Sequence, residues 1–126
     1  MSPKTILVVE DESHAAEVLA FVLEREGYRV LDAVNGRDGL NKLKLSPVDL
    51  IILDIAMPIM NGVEMASALR CDSLLRSVPV VITSALPESA VHGMTDCYRA
   101  FLRKPFPLGS LLSLVGSILA EEKMRA

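Results

Sequence analysis

The sequence predicts an α/β domain built on an open, mostly parallel sheet with helices on both faces. Three observations predict it. Short apolar, branched runs alternate five times with stretches of helical periodicity. The third run, Val48-Asp49-Leu50-Ile51-Ile52-Leu53-Asp54-Ile55, is apolar almost without interruption, as a strand buried on both faces requires. Glycine, Asn-Gly and proline punctuation falls between the runs rather than inside them.

A length of 126 residues, 51% of them hydrophobic, is enough for one domain with a real core and excludes a disordered chain. The net charge of -3, with no basic stripe, argues against a nucleic-acid grip. No uncharged apolar run is long enough to cross a bilayer. The N-terminus meets Glu10, Asp11 and Glu12 too early for a signal peptide. Cys71 and Cys97 lack metal-ligand spacing and are too few for a disulfide framework, so they read as reduced, buried thiols in a cytoplasmic protein.

Thr5 to Val9 is a β-rich run ending at Glu10-Asp11-Glu12. Ser13 is the expected cap of a helix whose Ala15, Val18, Leu19 and Val22 recur at helical spacing, stopped by Gly27. Tyr28 to Ala33 alternates as an edge strand does. Asn35-Gly36 introduces a helix carrying Leu40, Leu43 and Leu45, closed by Ser46-Pro47. The central strand follows and is broken by Met57-Pro58, since proline cannot donate to a ladder. Asn61-Gly62 opens a helix with Val63, Ala66 and Leu69 on one face. Val78 to Ser84 is the next buried strand. Pro87 starts a helix that Gly93 interrupts early. Tyr98 to Leu102 is a short strand, 104–107 a turn, and Leu108 to Lys123 the final helix. In that helix Leu108, Leu111, Leu112, Val115 and Leu119 read as the core stripe. Leu114 and Ile118 read as a neighbouring apolar stripe left for a partner or a second copy.

If the sheet is parallel, all strands end on one edge, where such folds bind ligands. A lone Asp at a strand end is an ordinary turn residue. Here the first strand also delivers Glu10 and Asp11, the third Asp54, the fourth Thr83 and Ser84, and the loop after the fifth Lys104. Three crowded carboxylates repel one another. A divalent cation resolves that repulsion, and oxygen ligands of this number suit Mg²⁺, which keeps waters and recruits phosphate. With a lysine and a hydroxyl donor, the set reads as a phosphoryl-transfer site in which Asp54 is the nucleophile.

The ordered set 8–12 (Val-Val-Glu-Asp-Glu), 53–58 (Leu-Asp-Ile-Ala-Met-Pro), Asn61-Gly62, Ser84-Ala85 and 101–106 (Phe-Leu-Arg-Lys-Pro-Phe) resembles the receiver domain of two-component response regulators, across essentially the whole chain. The resemblance implies a flavodoxin-like doubly wound sandwich with strand order 2-1-3-4-5. It implies that Asp54 accepts a phosphoryl group from a histidine kinase or a phosphotransfer protein. Asp11, Asp54 and the Ala56 carbonyl would hold Mg²⁺, with Glu10 acting through water, while Lys104 contacts the phosphoryl oxygens. Ser84, rather than Thr83, would turn toward that group because Ala85 follows it. Phe101 would rotate inward and alter the face built by the fourth helix, fifth strand and last helix, through which a downstream protein or a second copy binds.

Two departures fall around the fourth helix: the span from Ser84 to Lys104 is short for the family, and Asp96-Cys97 stands where Gly-Ala is usual. That helix is therefore expected to be short or distorted. Ala56 and Leu86, at positions that influence water attack on the acyl phosphate, have side chains that cannot orient a water, so a long-lived phosphorylated state is expected. No output domain follows in this chain, which reads as a free-standing receiver or one excised from a longer regulator. A receiver that docks without phosphate, an aspartyl-phosphate phosphohydrolase and a nucleotide binder are the rivals. Ala56 replaces the second acid that the hydrolase class generally needs, and Glu10-Asp11-Glu12 would repel the nucleotide phosphate.

Overall fold

The computed structural model describes residues 3–57 and 59–125, so Pro58 lies outside the described residues. The elements run β1 (Thr5–Val9), α1 (Ser13–Arg25), β2 (Arg29–Ala33), α2 (Gly36–Leu45), β3 (Leu50–Asp54), α3 (Gly62–Cys71), β4 (Val80–Ser84), α4 (Glu88–His92), β5 (Ala100–Arg103) and α5 (Leu108–Arg125). The strands form one parallel sheet in the order β2-β1-β3-β4-β5. This is the flavodoxin-like doubly wound arrangement that the alternation and the motifs predict.

Strand alternation divides the core into two layers. Leu7, Val9, Ile51, Leu53 and Ile82 face α2 and α3, where Leu43, Met65 and Leu69 meet them. Ile6, Val8, Leu50, Ile52 and Val81 face α1 and α5, against Leu19, Leu23, Leu111 and Val115. β3 is buried along its whole length, which places the continuous apolar run at the centre of the sheet. Each fully buried branched side chain contributes about 1.5–3 kcal/mol, so β3 is the least movable support for anything at its end.

Several boundaries and faces differ from the sequence reading. β2, β3 and β4 begin at Arg29, Leu50 and Val80, and β5 runs from Ala100 to Arg103, because Tyr28, Val48, Val78 and Tyr98 pack on the core from approach loops instead of joining a ladder. α1 is capped by Glu12, not Ser13: its carboxylate accepts from His14 N at 3.0 Å and Ala15 N at 2.7 Å. Its buried face is Ala16, Leu19 and Leu23: Leu19 is buried as predicted, Ala16 and Leu23 take the places expected of Ala15 and Val22, and Val18 is exposed. In α5, Ile118 is buried and Leu114 packs against the core, so the supposed outer stripe is part of the interior, and Leu108 instead is exposed. A helix that packs on the sheet and on α1 at once needs a wider apolar face than a helix touching one neighbour. Cys71 is exposed and Cys97 half-buried, so neither is a core thiol.

α4 is a single turn of five residues, ending where Gly93 was expected to interrupt it. At the far end of the sheet, Lys4, Leu119, Glu122 and Lys123 line a shared depression of about 300 Å³. Among the described residues no helix is long and apolar enough to cross a membrane.

Candidate functional site

Because the strands are parallel, β1, β3, β4 and β5 all release their last residues at one edge. Glu10 and Asp11 follow β1, Asp54 ends β3, Ser84 ends β4, and Lys104 follows β5. Carboxylate oxygens of Glu10, Asp11 and Asp54 lie within 4.8 Å of one another; Glu10 and Asp54 are buried and Asp11 is exposed. Lys104 Nζ donates to Glu10 Oε1 at 2.9 Å and lies 3.3 Å from Asp54 Oδ1. The lysine is thus the bridge between two buried acids, and not a solvated turn residue.

Burial raises the Asp54 carboxyl to about 6, helped by the negative charge of Glu10 and opposed by Lys104. Burial works against the Lys104 ammonium, but hydrogen bonding to Glu10 and the charge of Asp54 outweigh it and move the group upward. One lysine therefore offsets only part of the repulsion among three acids. The residues present fit a divalent cation: all-oxygen donors, excess negative charge and one open, exposed member.

Ser84 and Thr83 are both buried but face opposite ways. Thr83 lines a groove with Glu10, Lys104 and α1. Ser84 shares the face of Phe101 and Arg103, and its Oγ accepts from Leu86 N at 3.0 Å. Phe101 is half-buried against the α2–α3 layer, with its ring centroid 6.5 Å from that of Tyr98. Ala56 is exposed in the loop after β3, and Met57 and Met60 pack on the core as loop residues. His14 and His92 are surface residues. The Lys104-Pro105 peptide is cis.

Three features were not read from the sequence. Asn61 and Glu64 form a reciprocal capping box, with bonds of 2.9 and 3.0 Å, that fixes the start of α3. Gly62 lets that start lie directly on the carboxyl end of β3: a Cβ there would sit 2.4 Å from the Asp54 carbonyl oxygen and 2.8 Å from Ile55 Cα. The Asn61-Gly62 pair was the signal: it was read as the opening of a helix, but neither the capping box nor the close approach to β3 was drawn from it. Ile59 has φ of 67°, a left-handed conformation that strains a β-branched residue. It is also 73% exposed, so it gains little packing in return. Ile59→Asn, which tolerates that conformation, should stabilise the fold by about 1 kcal/mol and raise Tm by a few degrees. Calorimetry showing a lower Tm for the variant would contradict this.

A five-stranded parallel flavodoxin-like sheet whose carboxyl edge gathers three acids and a bridging lysine defines a small class of α/β signalling domains. The chain belongs to the response regulator receiver domain family of two-component systems, whose model matches residues 6–116. It is similar to the receiver domain of a signal transduction histidine kinase from Syntrophus aciditrophicus, with 35% identity, a TM-score of 0.87, and coverage of 94% of this chain and 91% of that one. It is also similar to the response regulator TrrA of Thermotoga maritima, solved in complex with Mg²⁺ and BeF, with 31% identity, a TM-score of 0.81, and coverage of 90% and 97%. The response regulator ArlR of Staphylococcus aureus is 34% identical over 122 residues, 95% of this chain and 54% of ArlR. The chain spans about half the length of the curated relatives it matches.

Proposed function

We propose that Asp54 is the phosphoacceptor of a two-component phosphorelay. The observation that carries this reading is the Lys104 bridge: one ammonium held between buried Glu10 and Asp54, beside exposed Asp11. An Asp54 carboxylate oxygen attacks the phosphorus of a phosphohistidine on a histidine kinase or phosphotransfer protein. The P–N bond breaks, the imidazole departs, and an acyl phosphate remains on Asp54. Asp11, Asp54 and the Ala56 carbonyl would hold Mg²⁺, with Glu10 behind them, and the ion supplies charge neutralisation for the phosphoryl oxygens. Lys104 gives up part of its pairing with Asp54 to meet those oxygens. Ser84 leaves its bond to Leu86 N to donate to one of them, and Phe101 turns into the space released.

The donor's seat is the groove of about 610 Å³ beside the site, lined by Ala15, Val18, Phe106 and Leu108 below Glu10 and Lys104. Exposed apolar residues there suit an amphipathic helix. The output is the changed face of α4, β5 and α5, read by a downstream protein or a second copy. On this reading the chain catalyses only its own phosphorylation and dephosphorylation, works in the cytoplasm with its thiols reduced, and touches neither nucleic acid nor membrane. No acid stands at Ala56 to support a dedicated phosphohydrolase.

Incubation with acetyl phosphate and Mg²⁺ should add one phosphoryl mass to the intact protein. The adduct should be absent with chelator or in Asp54→Ala. It should persist long after the donor is removed, since neither Ala56 nor Leu86 can orient an attacking water. Failure to form the adduct under any condition would favour a receiver that docks without phosphate, and rapid decay would remove the expectation of persistence.

A further inference from the structure

An isolated helix needs about 12–15 residues to hold together in water, and α4 has five. Pro87 caps it without a side-chain hydrogen bond, so the turn depends on tertiary contacts. Val91, fully buried, is one anchor. The other is Tyr98, which precedes β5: its hydroxyl donates to Glu88 Oε2 at 3.0 Å, and His92 Nδ1 lies 3.2 Å from the Tyr98 hydroxyl oxygen. The hydroxyl therefore ties the first residue of the turn to its last. The His92 and Tyr98 rings meet edge-on, with centroids 6.2 Å apart. A phenol is a donor at neutral pH, and burial, followed by the hydrogen bond to Glu88, pushes this one further upward. On its other side the Tyr98 ring leans on Phe101.

We propose that Tyr98 is a latch joining the Phe101 ring to α4, which holds the turn in the resting protein and releases it when Phe101 moves. The inference rests on the phosphoacceptor reading above and says how that reading would reach the surface. Ser84 shares its sheet face with Phe101, and from Phe101 the line continues through Tyr98 to Glu88 and His92 at the outer face. Tyr98 is a positioning residue: it touches neither Asp54 nor Lys104 in the bonds described, and it acts through the helix it ties. With only one turn to hold, the loss of one hydroxyl is enough to shift α4 between docked and released states, which would not be true of a long helix with several buried anchors.

The test compares amide hydrogen exchange across residues 88–95 in the wild type, Tyr98→Phe, Glu88→Ala and Glu88→Gln, with and without acetyl phosphate, alongside intact mass. Tyr98→Phe keeps the ring against Phe101 and removes only the hydroxyl. Its unphosphorylated form should exchange about fivefold faster in this segment, the size of one net hydrogen bond. Glu88→Ala should behave in the same way, and Glu88→Gln, which retains an acceptor, should restore protection. In the wild type, phosphorylation should produce a comparable loss of protection; in Tyr98→Phe the further change should be under twofold although the phosphoryl adduct forms normally. Resting protection in Tyr98→Phe equal to the wild type, or a phosphorylation step of full size in that variant, would overturn the latch. If no variant takes a phosphoryl group, the phosphoacceptor reading falls, and the resting comparison still decides whether Tyr98 holds α4.

Discussion

Replacing the proposed phosphoacceptor by its amide, Asp54→Asn, is expected to stabilise the metal-free protein at pH 7.5 by roughly 3 kcal/mol. In the folded state the Asp54 carboxyl is raised from 3.8 to about 6, by burial and then by Glu10. Between those values the folded protein holds a proton that the unfolded chain has already released. Wild-type stability therefore falls as pH rises through the window from about 4 to about 6, and the full penalty is present above it. Asparagine carries no charge to bury and leaves Lys104 paired with Glu10 at 2.9 Å. Urea unfolding in chelator should show the variant and the wild type converging near pH 4 and separating by pH 7. Mg²⁺ at ten times its dissociation constant should return about 1.4 kcal/mol to the wild type and much less to the variant. A variant less stable than the wild type at pH 7.5 in chelator, or a gap independent of pH, would show that Asp54 is not held at an electrostatic cost.

Gly62→Ala is the second large effect. The added Cβ would meet two backbone groups, the Asp54 carbonyl oxygen at 2.4 Å and Ile55 Cα at 2.8 Å, neither of which can swing aside as a side chain does. The start of α3 is fixed from the other direction by the Asn61–Glu64 capping box, and Gly62 N donates to Ile55 O at 3.0 Å, so the helix cannot retreat without losing those bonds. Overpacking of this kind costs about 1–3 kcal/mol, and here the displaced atoms carry the acceptor. A shift of Asp54 by about 1 Å would slow phosphorylation by up to roughly a hundredfold. Acetyl phosphate labelling followed by intact mass gives the rate, and urea unfolding gives the stability. A variant that folds and labels like the wild type would mean that α3 can slide away from β3.

The fold was legible because its strands are apolar runs of a length and spacing that leave few alternatives. β3, buried at every position, was the clearest of them. Once the sheet is parallel, topology alone brings Glu10, Asp11, Asp54 and Lys104 to one edge, so the site could be read before any distance was known. What stayed hidden has a common cause: it depends on backbone approach or on residues doing unusual work. Glu12 caps α1 although Ser, Thr, Asp and Asn are the usual residues there. Val48 and Val78 are as apolar as the strands they precede but lie outside the ladders. Ile118 looked surplus because a helix wheel does not show that α5 is packed on two sides. The left-handed backbone of Ile59 has no signature in a β-branched side chain, and only the glycine at position 62 hinted at how closely α3 meets β3.

The depression that Lys4 shares with Leu119, Glu122 and Lys123 places the first strand's entry and the last helix's exit side by side, at the end of the sheet opposite Asp54. A polypeptide carrying this fold comes in and goes out through one doorway, with the acid trio at the far wall. The domain can therefore be spliced between other sequences as a cartridge. Tethers attached at either end would leave the acid trio uncovered.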